Sequence, residues 1–410
     1  TQQLPSNDLD QARLTYLLGF RDWPQCHAAI ERNQNQIHHY FSLLIETPEE
    51  AEDRSEPLVV LTEDLWALEL LESDWQSLLT PYCDADDITT LWHDTTAVKQ
   101  RLLKIPMGQR GANSLNRLMP WFLHDVMRHA RHPNLASLAP VIISIAGRTA
   151  YLDLLLENQQ ARYQLINLTT QSEWISEQIA RFPLLLDELL DPAYLANQTT
   201  DIQVVKQQMQ SQLQQSLLRV DPDDLEAMMN TWRQFKLSQQ LIVAAADVCQ
   251  TIPTNAVSDH LTVLAETLLD SVIRSAWRDM SKRYGEPEGC DIENNGLVVI
   301  GYGKLGGLEL GYGSDLDVVF LHNAERQQQT NGKKPVSAAQ FYVKLVQRVM
   351  HLMSTNTQIG NVYEIDLRLR PNGNSGMLCS HIEGYLEYLR DQAWTWEHQA
   401  LVRTRPVWGS

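Results

Sequence analysis

The chain has 410 residues, 43% hydrophobic and 20% charged, an ordinary globular composition with room for two or three domains. Its formal net charge of −18 argues against nucleic acid as the main partner, because a duplex binder gains from a basic surface. No apolar run approaches the roughly 20 residues that span a bilayer, so no membrane partner is expected.

The sequence opens without an initiator Met or signal-peptide character and stops abruptly at Ser410, so a fragment of something longer is expected. Five scattered cysteines, none in a Cys-x-x-Cys pair, favour reduced thiols in a cytoplasm over a zinc site. Helical periodicity marks Gln36–Ile45, Leu58–Leu71, Leu115–Arg128 and Val141–Leu156, with a charged, proline-flanked linker over 48–57. A second break follows Pro192 and continues into Asn197–Gln203. The glutamine-rich stretch Gln207–Gln215 keeps Met209, Leu213 and Leu217 at helical spacing, which predicts a helix with an exposed polar face. Ser258–Tyr284 carries a continuous apolar stripe, with Ser258 as the expected N-cap and Gly285-Glu-Pro287 as the stop.

The period then changes. Leu297–Ile300 reads as a buried strand and Asp315–Leu321 as its hairpin partner. Ala338–Met353 reads as a helix, Val362–Arg368 as a third strand and Trp394–Arg405 as a final helix. The fold class expected is mainly α: a helical domain over 1–235, then an α+β catalytic domain over 236–410 with a small mixed sheet.

The chemistry concentrates between Gly301 and Asp317. A glycine-rich turn runs into Ser314-Asp-Leu-Asp317 and then an apolar strand. Residues two apart on a strand share a face, with Cα atoms about 6.6 Å apart. Asp315 and Asp317 can therefore hold cations about 3.5–4 Å apart, as two-metal phosphoryl chemistry requires. Hard oxygen ligands suit Mg²⁺ or Mn²⁺. Asp366 is the candidate third carboxylate, as metal ligand or as base for an incoming hydroxyl, with Glu364 as its rival and an ion pair to Arg368 or Arg370 as the structural alternative.

Gly306 and Gly307 allow close approach to phosphate oxygens, with a helix start expected there. Ser314 could bond a phosphate and Lys304 neutralise one, although the spacing is not that of a Walker motif. Arg368 and Arg370 address phosphates or hold the third strand. Trp394 and Trp396 read as core or as a base-stacking platform. Glu397 and His398 would need a nucleophile, and there is no Gly-x-Ser-x-Gly elbow. A phosphate-approaching loop followed by a metal-binding carboxylate pair points to an enzyme acting on a nucleoside triphosphate.

Four segments together, Gly301-Tyr-Gly-Lys-Leu-Gly-Gly307, Ser314-Asp-Leu-Asp317, Tyr363-Glu-Ile-Asp-Leu-Arg-Leu-Arg-Pro371 and Trp396-Glu-His-Gln-Ala-Leu-Val-Arg403, resemble glutamine synthetase adenylyltransferase. That family belongs to the DNA polymerase β-like nucleotidyltransferases. The likeness extends upstream through Arg181–Pro192, Arg233-Gln-Phe-Lys236, Ala244–Asp247 and Val257–Leu261, and so covers nearly the whole chain.

The family's proteins are bifunctional, one half attaching AMP to glutamine synthetase and the other removing it by phosphorolysis. The Trp396-Glu-His-Gln segment, Asp247 and Val257-Ser-Asp-His260 resemble the attaching, C-terminal half, which implies a missing second half and a further helical segment. The resemblance implies ATP as substrate, Asp315, Asp317 and Asp366 as catalytic metal ligands, and regulation by PII signal protein and glutamine. Leu308 and Gly313, where the family tends to have Trp and Ser, bear only on loop packing. The alternatives are the AMP-removing half, a polynucleotide-extending enzyme on the same scaffold, and a regulatory module that docks PII or glutamine synthetase.

Overall fold

In the computed structural model, residues 57–129, 133–190, 199–357 and 359–409 are described, with a few positions between 11 and 26. The expected helix Gln36–Ile45 and almost all of the linker over 48–57 lie outside them.

The described chain is mainly α with one small mixed sheet, the fold class expected. The first helices are α1 (Pro57–Ala67), α2 (Glu72–Leu79), α3 (Ala85–Leu102), α4 (Gln109–His129), α5 (Ala139–Ile145), α6 (Thr149–Glu157), α7 (Gln159–Gln171) and α8 (Glu173–Arg181). The single helix expected over Val141–Leu156 is two, parted around Gly147, and the one over Leu58–Leu71 stops at Ala67. Caps set several boundaries: the Asn158 side chain accepts from the Ala161 N–H, and Ser172 from that of Ile175. Leu91, Leu118, Phe122, Ile142, Leu165 and Ile179 are among the side chains that close one apolar core. Each fully buried Leu or Phe contributes about 1.5–3 kcal/mol.

Helix α9 (Ile202–Leu217) precedes α10 (Leu225–Val248), which carries two cores at once. Leu241, Ile242, Ala244 and Ala245 close the first core, while Trp232, Phe235, Val243 and Ala246 belong to a second. The boundary expected between 235 and 236 falls inside this helix. Helix α11 (Thr254–Tyr284) starts one turn before Ser258, after Pro253, and ends at Gly285 with φ +77°. Proline ahead of the first turn has no N–H to leave unsatisfied, so it displaces Ser258 as the start signal.

The sheet is built from β1 (Leu297–Gly301), β2 (Leu316–His322), β3 (Ile365–Asp366), β4 (Cys379–His381) and β5 (Arg405–Trp408). Between β1 and β2 lies a four-residue helical turn, α12 (Gly303–Gly306); α13 (Ala338–Ser354) follows β2, and α14 (Ile382–Asp391) and α15 (Thr395–Ala400) precede β5. The order is β3-β2-β1-β5, with β4 also on β2. β1 and β2 are antiparallel, as the hairpin reading required; β3 and β4 run parallel to β2.

The third strand is far shorter than Val362–Arg368. Only Ile365 and Asp366 pair, against Leu316 and Asp317, because β4 takes the rest of that edge. Val362 and Tyr363 are instead buried, with both N–H groups donating to the Met353 carbonyl. The Trp394–Arg405 helix ends at Ala400, passes through a 3₁₀ turn at Leu401–Arg403, and gives way to β5.

Leu316, Val318 and Phe320 face α11 and α13, where Trp277 meets Phe341 edge to face at 5.1 Å. Val319 and Leu321 face the other side, against Tyr302 and Tyr385. By strand alternation Asp317 shares that second face.

Candidate active site

Parallel pairing of β2 with β3 sets Asp317 directly beside Asp366. With Asp315, just ahead of β2, they form a group in which one carboxylate oxygen from each lies within 4.8 Å of the other two. Asp315 is exposed and the other two half-buried. Glu364 is exposed and outside the group; its backbone carbonyl accepts from the Leu316 N–H at 2.9 Å, which sets the register that brings Asp366 in.

The charges are unbalanced. Burial pushes the Asp317 carboxyl above its usual range, and Asp315 and Asp366 push it further, against the pull of Arg368 and Lys304. Asp366 behaves oppositely. Its Oδ2 accepts from Arg368 Nε at 2.6 Å and its Oδ1 from the Arg368 N–H at 2.8 Å, and these bonds hold its carboxyl low.

The turn from β1 supplies the facing wall. Its helical segment begins at Gly303, not at Gly306, and Gly306 and Gly307 end it. Their N–H groups are taken by the Tyr302 and Gly303 carbonyls, each at 3.0 Å. Gly306 is required for packing: a Cβ there would lie 2.1 Å from the Arg403 carbonyl oxygen. Gly303 is the glycine that meets the carboxylates. It has φ +53°, and a Cβ there would sit 2.9 Å from Asp317 Oδ2. Sequence reasoning passed over it, although a glycine two residues past the end of an apolar strand was the available signal.

Lys304 is exposed, with its charge reaching Asp317. The Ser314 hydroxyl oxygen accepts from the Gly311 N–H at 3.1 Å, closing the turn that presents Asp315, and its O–H is left to donate. The two arginines part company. Arg368 is exposed beside the cluster, whereas Arg370 is buried and donates to the carbonyls of Leu367, Asn374 and Gly376. Arg370 therefore holds the loop after β3.

The bundle reaches the site through the loop before Asp315. Gln240 of α10 donates to the Tyr312 carbonyl at 2.9 Å, and the Trp174 ring lies 4.6 Å from that of Tyr312. Trp394 and Trp396 are not core; they are 70% and 54% exposed. Glu397 is buried and bonded to Tyr388 and the Trp394 N–H, with no nucleophile beside it. No helix among the described residues is long and apolar enough to cross a membrane.

The model of the glutamate-ammonia ligase adenylyltransferase family matches residues 162–410. Three curated relatives, from Alteromonas mediterranea, Shewanella loihica and Shewanella woodyi, are each named bifunctional glutamine synthetase adenylyltransferase/adenylyl-removing enzyme. They are 46%, 45% and 42% identical to this chain over its whole length. The chain spans 42% of the length of each. Matched by the family model over more than half its length and by these relatives throughout, the chain belongs to the glutamate-ammonia ligase adenylyltransferase family.

Proposed function

We propose that this chain transfers AMP from ATP to a tyrosine hydroxyl of glutamine synthetase and releases pyrophosphate. The observation that carries the nucleotidyl-transfer chemistry is the convergence of Asp315, Asp317 and Asp366 behind a glycine turn; the direction rests on the likeness of Trp396-Glu-His-Gln, Asp247 and Val257-Ser-Asp-His260 to the attaching half. Three carboxylates so close, one of them driven up in proton affinity, fit a hard divalent cation. Mg²⁺ or Mn²⁺ held there would neutralise the triphosphate and polarise its α-phosphoryl group.

The remaining work falls to side chains around that cluster. Lys304 and Arg368 offer cations to phosphate oxygens, and the Ser314 O–H a donor. Gly303, with Gly306 and Gly307 closing the turn behind it, lets backbone approach where a Cβ would obstruct. A phenol has a pKa near 10, so the tyrosine nucleophile needs a proton acceptor. Asp366, which its bonds to Arg368 hold low, is the carboxylate that would accept that proton or ligate the cation. Regulation by PII signal protein and glutamine, and a cytoplasmic setting, belong to the same reading.

The test is incubation with glutamine synthetase, Mg²⁺ and ATP labelled at the α- or the γ-phosphate. Transfer from the α-label only, lowered about 100-fold or more in Asp315→Asn, is expected. Phosphate-dependent stripping of adenylylated target as ADP, without transfer, would assign the AMP-removing reaction instead.

A further inference from the structure

We propose that Tyr385 is a positioning residue for the carboxylate cluster and acts through Tyr302. This rests on the reading of Asp315, Asp317 and Asp366 as cation ligands. Tyr302 lies between the last residue of β1 and Gly303, and it holds Asp317 at two removes. Its N–H donates to the Asp317 carbonyl oxygen at 2.8 Å. The residue after it, Gly303, is the one whose backbone stands against Asp317 Oδ2. Where Tyr302 sits therefore decides both the backbone of Asp317 and the wall its carboxylate meets.

The Tyr302 side chain points away from the cluster, into the small core on the second face of the sheet with Val319 and Leu321. It is 2% exposed, and its hydroxyl is bonded to that of Tyr385 on α14, itself 6% exposed. Two phenols in an apolar cluster are a costly choice. Each hydroxyl loses water, and one neutral hydrogen bond returns only about 1 kcal/mol net, so a Phe pair would pack there at less cost. What the pair adds is direction: a fixed distance between α14 and the turn.

Burial raises both phenols, so the link is a neutral one throughout the working range. Behind it the α14–α15 corner is itself pinned. Glu397 accepts from the Tyr388 hydroxyl at 2.9 Å and from the Trp394 N–H at 2.8 Å. The Trp-Glu-His-Gln segment thus steadies α14, the helix that carries Tyr385, through the Tyr388 hydroxyl.

The experiment is Mn²⁺ titration of the 410-residue chain, without nucleotide, by calorimetry, for wild type, Tyr302→Phe, Tyr385→Phe and the double variant. Each single variant is expected to bind Mn²⁺ about 3–10-fold more weakly, and the double no more weakly than the poorer single, because both remove the same bond. Tyr363→Phe is the control, because the Tyr363 hydroxyl is buried without a hydrogen-bond partner and its removal should leave Mn²⁺ affinity unchanged. A lowered Tm with Mn²⁺ affinity within twofold of wild type overturns the proposal, since a merely structural pair would behave so. Losses that multiply in the double variant also overturn it. A wild-type chain that binds no Mn²⁺ overturns the cation-ligand reading itself, and the proposal with it.

Discussion

Two groups of charges leave bulk water in this molecule, and they are built on opposite terms. In the bundle, Asp125 is 0% and Arg162 4% exposed. One Asp125 oxygen takes Arg162 Nε at 3.0 Å, and the other faces His124 Nδ1 at 2.8 Å. The remaining guanidinium reach goes to the Leu155 and Leu156 carbonyls at 2.9 and 3.1 Å, over the Trp121 ring. That group is closed, with its carboxylate answered by named donors. The Asp315–Asp317–Asp366 group is like-charged and open, answered on one side only, by the exposed Arg368 and Lys304. The contrast supports the proposal that the second group receives a cation.

The largest expected effect breaks the closed group. Asp125→Ala leaves a buried guanidinium unpaired and should cost about 3–5 kcal/mol in urea unfolding. A loss below about 1 kcal/mol would mean that water reaches Arg162, and the contrast would fail. The open group should respond in the other direction. In metal-free buffer Asp317→Asn removes repulsion and should raise Tm by about 1–2 °C, a small gain because the group is only half-buried and screened. Mg²⁺ at about 100 times its dissociation constant should stabilise the wild-type chain by about 2.7 kcal/mol, and should do nothing for the variant. A variant less stable than wild type without metal would show that Asp317 serves the fold.

Most of this was legible in the residues, and the failures have physical causes. The two strands around the glycine turn were readable because each carries four consecutive apolar residues, Leu297–Ile300 and Val318–Leu321, too short a run for a buried helix. Asp315 and Asp317 were paired by strand alternation, but β2 begins at Leu316, so Asp315 reaches the group from the turn ahead of the expected strand Asp315–Leu321. Asp366 was a candidate on the expected strand Val362–Arg368 with Glu364 as its rival, but a two-residue strand cannot announce its length: the rest of its edge was lost to Cys379–His381, a tertiary competition invisible locally. Arg368 and Arg370 are indistinguishable in sequence, because what separates them is the set of loop carbonyls that turn back onto Arg370. Gly303 and Gly306 split the duties assigned to Gly306 and Gly307 because the helical turn starts three residues early, which only the close approach to Asp317 reveals.

The smallest expected effect sharpens the comparison through pH. Asp317 holds its proton more tightly folded than unfolded, so between the ordinary Asp value of about 3.9 and its own raised value the folded state binds more protons. Stability then falls as pH rises through that window. Asp366 has the reverse sign: Arg368 depresses it, so its contribution is present above about 3.9 and is lost as pH falls through the lower folded value. The two contributions lie on opposite sides of the ordinary value and can be separated. Subtracting the Asp317→Asn curve of unfolding free energy against pH from the wild-type curve cancels the carboxylates remote from the group and leaves Asp317 with its coupling to Asp315 and Asp366. Without metal the difference should slope downward above about pH 4. With saturating Mg²⁺ it should slope upward, because the cation binds only the ionised carboxylates. A flat difference in both conditions would mean that Arg368, Lys304 and solvent already neutralise Asp317, leaving the open group as closed as the one around Asp125.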